Sequence, residues 1–155
     1  MPSVIDAVMN LKTSYYKNVL LTIHRGWAKG KFSNAKPLFL IAIIDGIDEG
    51  FLIGNKITYD RKLETKYKDV CEFYEPEIKL ALFFKPFYHS QREEYYHIHW
   101  KNGIIPEHSW HTPSPKFIRE YIEYAYLDDG LWELLQDASI RKEFKQILIN
   151  HYLKQ

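Results

Sequence analysis

The 155-residue sequence contains one cysteine, Cys71. A single thiol excludes an intrachain disulfide and any cysteine-rich zinc or iron–sulfur site, and it suits a reducing, cytoplasmic compartment. Long apolar runs are missing as well. The stretch from Leu38 to Ile44 is cut short by Asp45, and the N-terminus lacks the basic-then-apolar pattern of a secretory signal, so a soluble chain with no membrane partner is expected. No Gly-X-Ser-X-Gly elbow and no glycine-rich phosphate loop occurs, which removes the best-marked routes to nucleophilic and phosphoryl-transfer chemistry. Repeats, low-complexity tracts and long linkers are also absent, so residues 1–155 are expected to form one domain that buries roughly two thirds of its unfolded surface.

Net charge is close to zero, at +1, but the charges are not evenly spread. Residues 1–40 hold six Lys or Arg against the single acid Asp6, a net +5, which leaves −4 for the remainder. Lys17, Arg25, Lys29, Lys31 and Lys36, with His24 and Trp27 among them, form an acid-free stretch, whereas Glu120 to Asp137 contains six acids and no Lys or Arg. Basic residues interleaved with aromatics suit a polyanion, because each neutralised phosphate releases counterions; a solvated basic face is the plainer reading of the same pattern.

Periodicity gives a helical start, a β-rich middle and a helical end. Val4 to Met9 with Leu11 fits one short helix, and Tyr15, Tyr16, Val19, Leu20 and Ile23 recur at helical spacing in a second. Pro37 opens a nearly all-apolar, hence central, helix that runs to about Glu49 and ends at Gly50. Ile57 and Tyr59 read as a short extended piece. A helix from about Arg61 to Tyr74 follows, with Leu63, Tyr67, Val70, Cys71 and Tyr74 inward and Pro76 stopping it. Ile78 to Phe84 is apolar and undecided between states. Tyr88 to Ser90 and Tyr95 to Trp100 suggest an antiparallel hairpin turning through Gln91 to Glu94. Thr112-Pro113-Ser114-Pro115 is punctuation; segments Lys116 to Glu123 and Leu131 to Leu135 follow. A last helix from about Ser139 to Leu153 places Ile140, Phe144, Ile147, Leu148 and Tyr152 on one face. The fold class is therefore α+β: a predominantly helical single domain with a small antiparallel sheet in its middle.

The chemistry concentrates between His89 and His111, which hold five of the seven histidines and two of the four tryptophans. His97 and His99 alternate about Ile98 and so leave one face of a strand, where His89 across the hairpin could join them. Three such imidazoles could hold a divalent metal and support a metal-dependent nuclease or other hydrolase, but no carboxylate or thiol is spaced to complete the set. An HNH nuclease needs a ββα unit, whereas His108 and His111 run into Pro113. Glu77-Ile78-Lys79 has the alternation of a carboxylate-and-lysine nuclease, yet neither Asp60 nor Asp69 stands in a supporting motif. Cys71 falls on the inner face of its helix, as an inert buried thiol does. No catalytic residue, metal or cofactor is assigned on these grounds. The alternation predicts that Phe87, Tyr96, Ile98 and Trp100 face inward and Tyr88, Tyr95, His97 and His99 outward.

Several segments then share an order with a known family. Ala35-Lys36-Pro37-Leu38-Phe39-Leu40-Ile41 with Ile44-Asp45 and Gly50, the step from Ile57 to Leu63, Pro86-Phe87-Tyr88-His89, Tyr95 to Trp100, Leu127 to Asp137, and Asn150-His151-Tyr152-Leu153 together resemble the N-terminal DNA-reading domain of bacterial HNH-type (McrA-like) restriction endonucleases. The resemblance covers about residues 30–153 and leaves residues 1–30 as a helical, basic extension. It implies DNA binding within a restriction or defence system and, as in the sulfur-binding domains of that family, recognition of phosphorothioate DNA. Phe87, Tyr88, His89 and Tyr152 would correspond to the pocket for sulfur. Where sulfur readers carry an arginine beside the pocket residues, this chain has Ser90, and the nearest arginine is Arg92.

The expectation is a DNA-binding module without nuclease activity of its own, with a nuclease subunit as a possible partner. His89, Arg92, His97 and His99 would lie near the anion, Lys29, Lys31 and Lys36 would contact the backbone, and bases would stack on Tyr88 or Trp110. A protein-interaction subunit of a defence complex remains the third reading.

Overall fold

The computed structural model describes residues 3–107 and 113–153. Trp110, His108 and His111 lie outside these residues. The expected helical α+β domain forms, with seven α-helices and two small antiparallel sheets among the described residues. Helix α1, Val4–Leu20, is continuous where two helices were expected; it opens with a capping box in which Ser3 accepts from the Asp6 N–H and Asp6 accepts from the Ser3 N–H.

Helix α2, Ala35–Asp48, is the axis of the core. Every residue from Pro37 to Ile47 except Asp45 is buried, and Asp45 accepts from Lys145 Nζ at 2.7 Å. Pro37 sits in the first turn, where a missing N–H breaks no helical bond. Gly50, at φ +84°, ends the helix in the left-handed region that glycine adopts without strain. Within α2, Gly46 lets the following chain fold back, since a Cβ there would meet Leu52 Cδ1 and Phe51 Cζ, both at 2.9 Å. Helix α3, Arg61–Tyr74, packs on α2 through the expected stripe, with Leu63, Tyr67, Val70 and Cys71 buried.

The expected hairpin at residues 88–100 does not form. Phe84–His89 is a short helix, α4, and β3, Tyr96–Trp100, pairs instead with β4, Ile122–Leu127. The register sets His97 opposite Tyr126, and His99 opposite Tyr124. The outer edge of β4 is covered: Ile57 exchanges two 2.7 Å backbone bonds with Ala125, and the Asn55 amide both donates to and accepts from the Leu127 backbone. The segment Lys116 to Glu123 thus spans a boundary, between α5, Pro115–Tyr121, and β4.

Helix α4 turns Phe87 into an aromatic cluster around Phe39, whose ring centroid lies 5.9 Å from Phe83, 6.2 Å from Phe87, 6.3 Å from Tyr67 and 5.8 Å from Tyr96. Each edge-to-face pair adds about 0.5–1.5 kcal/mol beyond the area it buries. Tyr96 donates to Phe87 O at 2.6 Å, tying β3 to α4 inside the core. Helices α6, Asp129–Leu134, and α7, Ala138–Leu148, close the domain, and a π-helical turn, Ile149–Leu153, brings Tyr152 back to the end of α1. There the Tyr152 hydroxyl donates to Leu20 O at 2.6 Å and accepts from the Ile23 N–H at 2.9 Å. No helix among the described residues is long and apolar enough to cross a membrane.

Candidate nucleic-acid interface

Between α1 and α2 the chain forms a minimal hairpin: β1, Trp27–Ala28, pairs with β2, Lys31–Phe32. Its two-residue loop, Lys29-Gly30, has φ of +52° and +79°, the double positive φ of a type I′ turn. The opposed residues Trp27 and Phe32 touch edge to face at 4.7 Å, yet remain 63% and 49% exposed, an unusual state for a large aromatic pair. Lys29 and Lys31 lie between them in the chain and make no ion pair among the described residues.

The base of this hairpin is held by several contacts. The Arg25 guanidinium lies over the rings of Phe32, at 4.5 Å, and Tyr152, at 4.9 Å, and its Nη1 donates to Asn34 Oδ1 at 2.9 Å. Buried Asn34 in turn donates to Glu75 Oε2 and to Tyr152 O. Arg25, Glu75 and Tyr152 are thereby fixed to one amide side chain.

A second basic group gathers around His89. His89, half-buried at the end of α4, has its pKa lowered first by burial and then by the charges of Arg92, Lys36 and Lys85. Lys36, however, is held: its Nζ donates to Glu93 Oε2 at 2.7 Å, with only 14% and 5% of the two side chains exposed. Glu93 also accepts from the His24 backbone N–H and contacts His24 Nδ1 at 3.2 Å. The charge of Lys36 is thus neutralised internally, whereas Lys85 and Arg92 are exposed and without an ion pair among the described residues.

The other two histidines have acidic company. His97 Nε2 is 2.5 Å from Asp128 Oδ1, whose other oxygen accepts from Tyr16 at 2.9 Å, and His99 Nε2 is 3.4 Å from Glu123. His99 also stacks on Tyr124 at 4.6 Å, and Lys56 lies over the same ring. His97 and His99 do share the half-exposed face of β3, as alternation predicts, but with carboxylates beside them they present no bare positive charge. The predicted union of His89 with His97 and His99 required the hairpin that does not form. Among the described residues no three His, Cys, Asp or Glu side chains assemble at metal-ligand spacing.

The remaining expectations divide. Tyr96 and Trp100 face inward and Ile98 is partly buried, but Tyr95, expected outward, is fully buried, and burial raises its phenol pKa. Phe87 is wholly inside the core, so it cannot line a ligand pocket. Tyr88 stays half-buried, edge-on to His89, and Tyr152 forms a wall beneath Arg25 rather than an open surface. Asp60 caps α3 by accepting from the Leu63 N–H, while Glu77 and Lys79 lie in an irregular segment beside a cavity of about 290 Å³. Cys71 lines the same cavity, and burial pushes its thiol up to about 11, consistent with an inert thiol.

The sequence expectation names Lys29 and Lys31 but not Trp27 and Phe32 as a pair. The available signal was Trp-Ala-Lys-Gly-Lys-Phe itself, with X-Gly between two aromatic-ended dipeptides. Compared with known proteins, the chain matches no family model and no curated protein sequence.

Proposed function

We propose that the chain is a DNA-binding module of a restriction or defence system, reading backbone or modified DNA and leaving cleavage to a partner. The observation that carries this reading is the type I′ hairpin, which holds two lysines without an ion pair among the described residues at its turn, beside two exposed opposed aromatics, on a base fixed by Arg25 and Asn34. Aromatic side chains stack on or wedge between bases, and the lysines satisfy the flanking phosphates. Lys85 and Arg92, beside His89 at the end of α4, supply a second positive group. The ordered motif resemblance points the same way.

Phosphorothioate preference is the finer part of the proposal. A phosphorothioate sulfur is large, soft and weakly hydrated, so it gains from apolar contact beside a cation. Arg25 over Phe32 and Tyr152 offers that combination, in place of the absent arginine next to His89. Electrophoretic shifts of plain and phosphorothioate duplexes over a salt series test both parts; no shift at low salt for either duplex sinks the reading.

One observation favours the interaction-subunit reading as an addition. The first turns of α1 expose Val4, Ile5, Val8 and Leu11, at 81%, 75%, 52% and 72%. A partner nuclease that docks there would bind in the absence of DNA, and pull-down after nuclease treatment checks it.

A further inference from the structure

The hairpin borders the cavity of about 290 Å³, which opens between β2, the end of α3 and residues 75–81. Its volume is at the small end for ligand sites, suited to one small planar molecule rather than a peptide. The floor is apolar: Leu38, Tyr67, Leu80 and Ala81, with Tyr67 immobilised by donating to Ala81 O at 2.9 Å. One wall is polar. Glu75 lines it, and of its two carboxylate oxygens only Oε2 is engaged among the described residues, by Asn34. Half-exposed Phe32 also lines the cavity, and the exposed charged residues of the lining are three lysines, Lys29, Lys31 and Lys79, against one acid, Glu77.

An apolar slot, a hydrogen-bond acceptor inside and a lysine rim outside match a nucleotide: base inward, phosphate at the mouth. We propose that this cavity receives a single nucleobase, and that the open oxygen of Glu75 favours bases with an exocyclic amino group over thymine. A carboxylate accepts from the cytosine amino group, whereas thymine offers only its N3–H, flanked by two carbonyl oxygens that a carboxylate repels. Trp27 and Phe32 then act as the wedge that fills the gap left in the stack, since extruding a base requires unstacking that an inserted aromatic offsets. The base comes either from DNA, extruded beside the bound hairpin, or from a free nucleotide. The DNA source rests on the reading above; the free-nucleotide source does not.

The test uses the full chain and its Ala81→Phe variant, which fills the floor, with Glu75→Gln as a second variant that keeps the amide-to-side-chain bond but removes the anionic acceptor. Probes are paired duplexes, the same duplexes with one mismatched cytosine or thymine, and the mononucleotides dCMP and dTMP, with affinities read by fluorescence anisotropy for the duplexes and by calorimetry for the nucleotides. A mismatch lowers the cost of extrusion, so the cytosine mismatch is expected to bind about tenfold tighter than the paired duplex, the thymine mismatch to gain less, and Ala81→Phe to lose the gain while retaining paired-duplex binding. Binding of dCMP over dTMP, lost in Ala81→Phe and levelled in Glu75→Gln, supports the free-nucleotide source. Paired duplex bound with no mismatch gain and no mononucleotide binding overturns the cavity proposal and leaves DNA binding standing. Absence of all duplex binding together with retained dCMP binding overturns the DNA reading and keeps the cavity as a nucleotide site.

Discussion

Lys36 donates to Glu93 across 2.7 Å in a setting where both side chains are almost fully removed from water. The pair joins the first turn of α2 to the turn before β3, and His24 closes the third side. Removing one partner of a buried pair strands the other. Lys36→Met is therefore expected to cost about 3–5 kcal/mol, reduced where His24 partly compensates Glu93, and Lys36→Met with Glu93→Gln should recover much of it. Urea denaturation midpoints check both. An equal loss in single and double variants would show that no such coupling exists.

The hairpin lysines should behave oppositely. Lys29→Gln and Lys31→Gln touch no buried partner, so stability stays within about 0.5 kcal/mol, while each substitution lowers the salt slope of DNA binding by about 1. Trp27→Ala is expected to weaken binding by about 1–3 kcal/mol if the ring stacks on a base. Anisotropy titrations from about 50 mM to about 200 mM salt measure all three.

His89 gives a pH signature. Burial, Arg92, Lys36 and Lys85 hold its pKa below the ordinary 6.5 in the folded chain. The unfolded chain therefore takes up a proton first as pH falls, so this histidine's contribution to stability is present above 6.5 and is lost as pH falls through the folded pKa. Bound phosphate would offset the neighbouring cations and raise the pKa, so DNA affinity should increase between about pH 7.5 and about pH 5.5. His89→Gln should flatten both dependences. An unchanged pH slope in that variant would assign the effect elsewhere.

Tyr16, His97 and Asp128 hold α1, β3 and the start of α6 together. Tyr16→Phe, which removes a largely buried hydroxyl donating to a carboxylate, is expected to cost about 1.5–3 kcal/mol in thermal or urea denaturation and to leave DNA affinity unchanged. A large loss of binding in this variant at temperatures where it is folded would bring the β3 face into the interface.

Helix α2 and helix α3 were legible in the sequence because each carries one unmistakable pattern, an all-apolar run and an inward stripe from Leu63 to Cys71. Residues 84–89 were not. Lys-Pro-Phe-Tyr-His is too short to show a helical period and rich in strand-forming aromatics, and only the packing of Phe87 against Phe39, Tyr59 and Phe83 makes it a helix. That one misreading moved the partner of β3. Ile-Glu-Tyr-Ala-Tyr-Leu does alternate, but the signal is blurred by a bulge between His99 and Trp100 and by small Ala125 at the inward position against Ile57. For the site, the basic stretch was visible as composition, whereas the capture of Lys36 by Glu93, 57 residues away, is a tertiary fact with no local mark.

The most direct measurement is the affinity of the full chain for one duplex, plain and phosphorothioate, across a salt series, beside a Lys29→Gln, Lys31→Gln double variant. The account predicts salt-dependent binding by the parent chain, tighter for the sulfur-bearing duplex, with a slope shallower by about 2 in the double variant. Binding that is absent at low salt, or identical in parent and double variant, would contradict it.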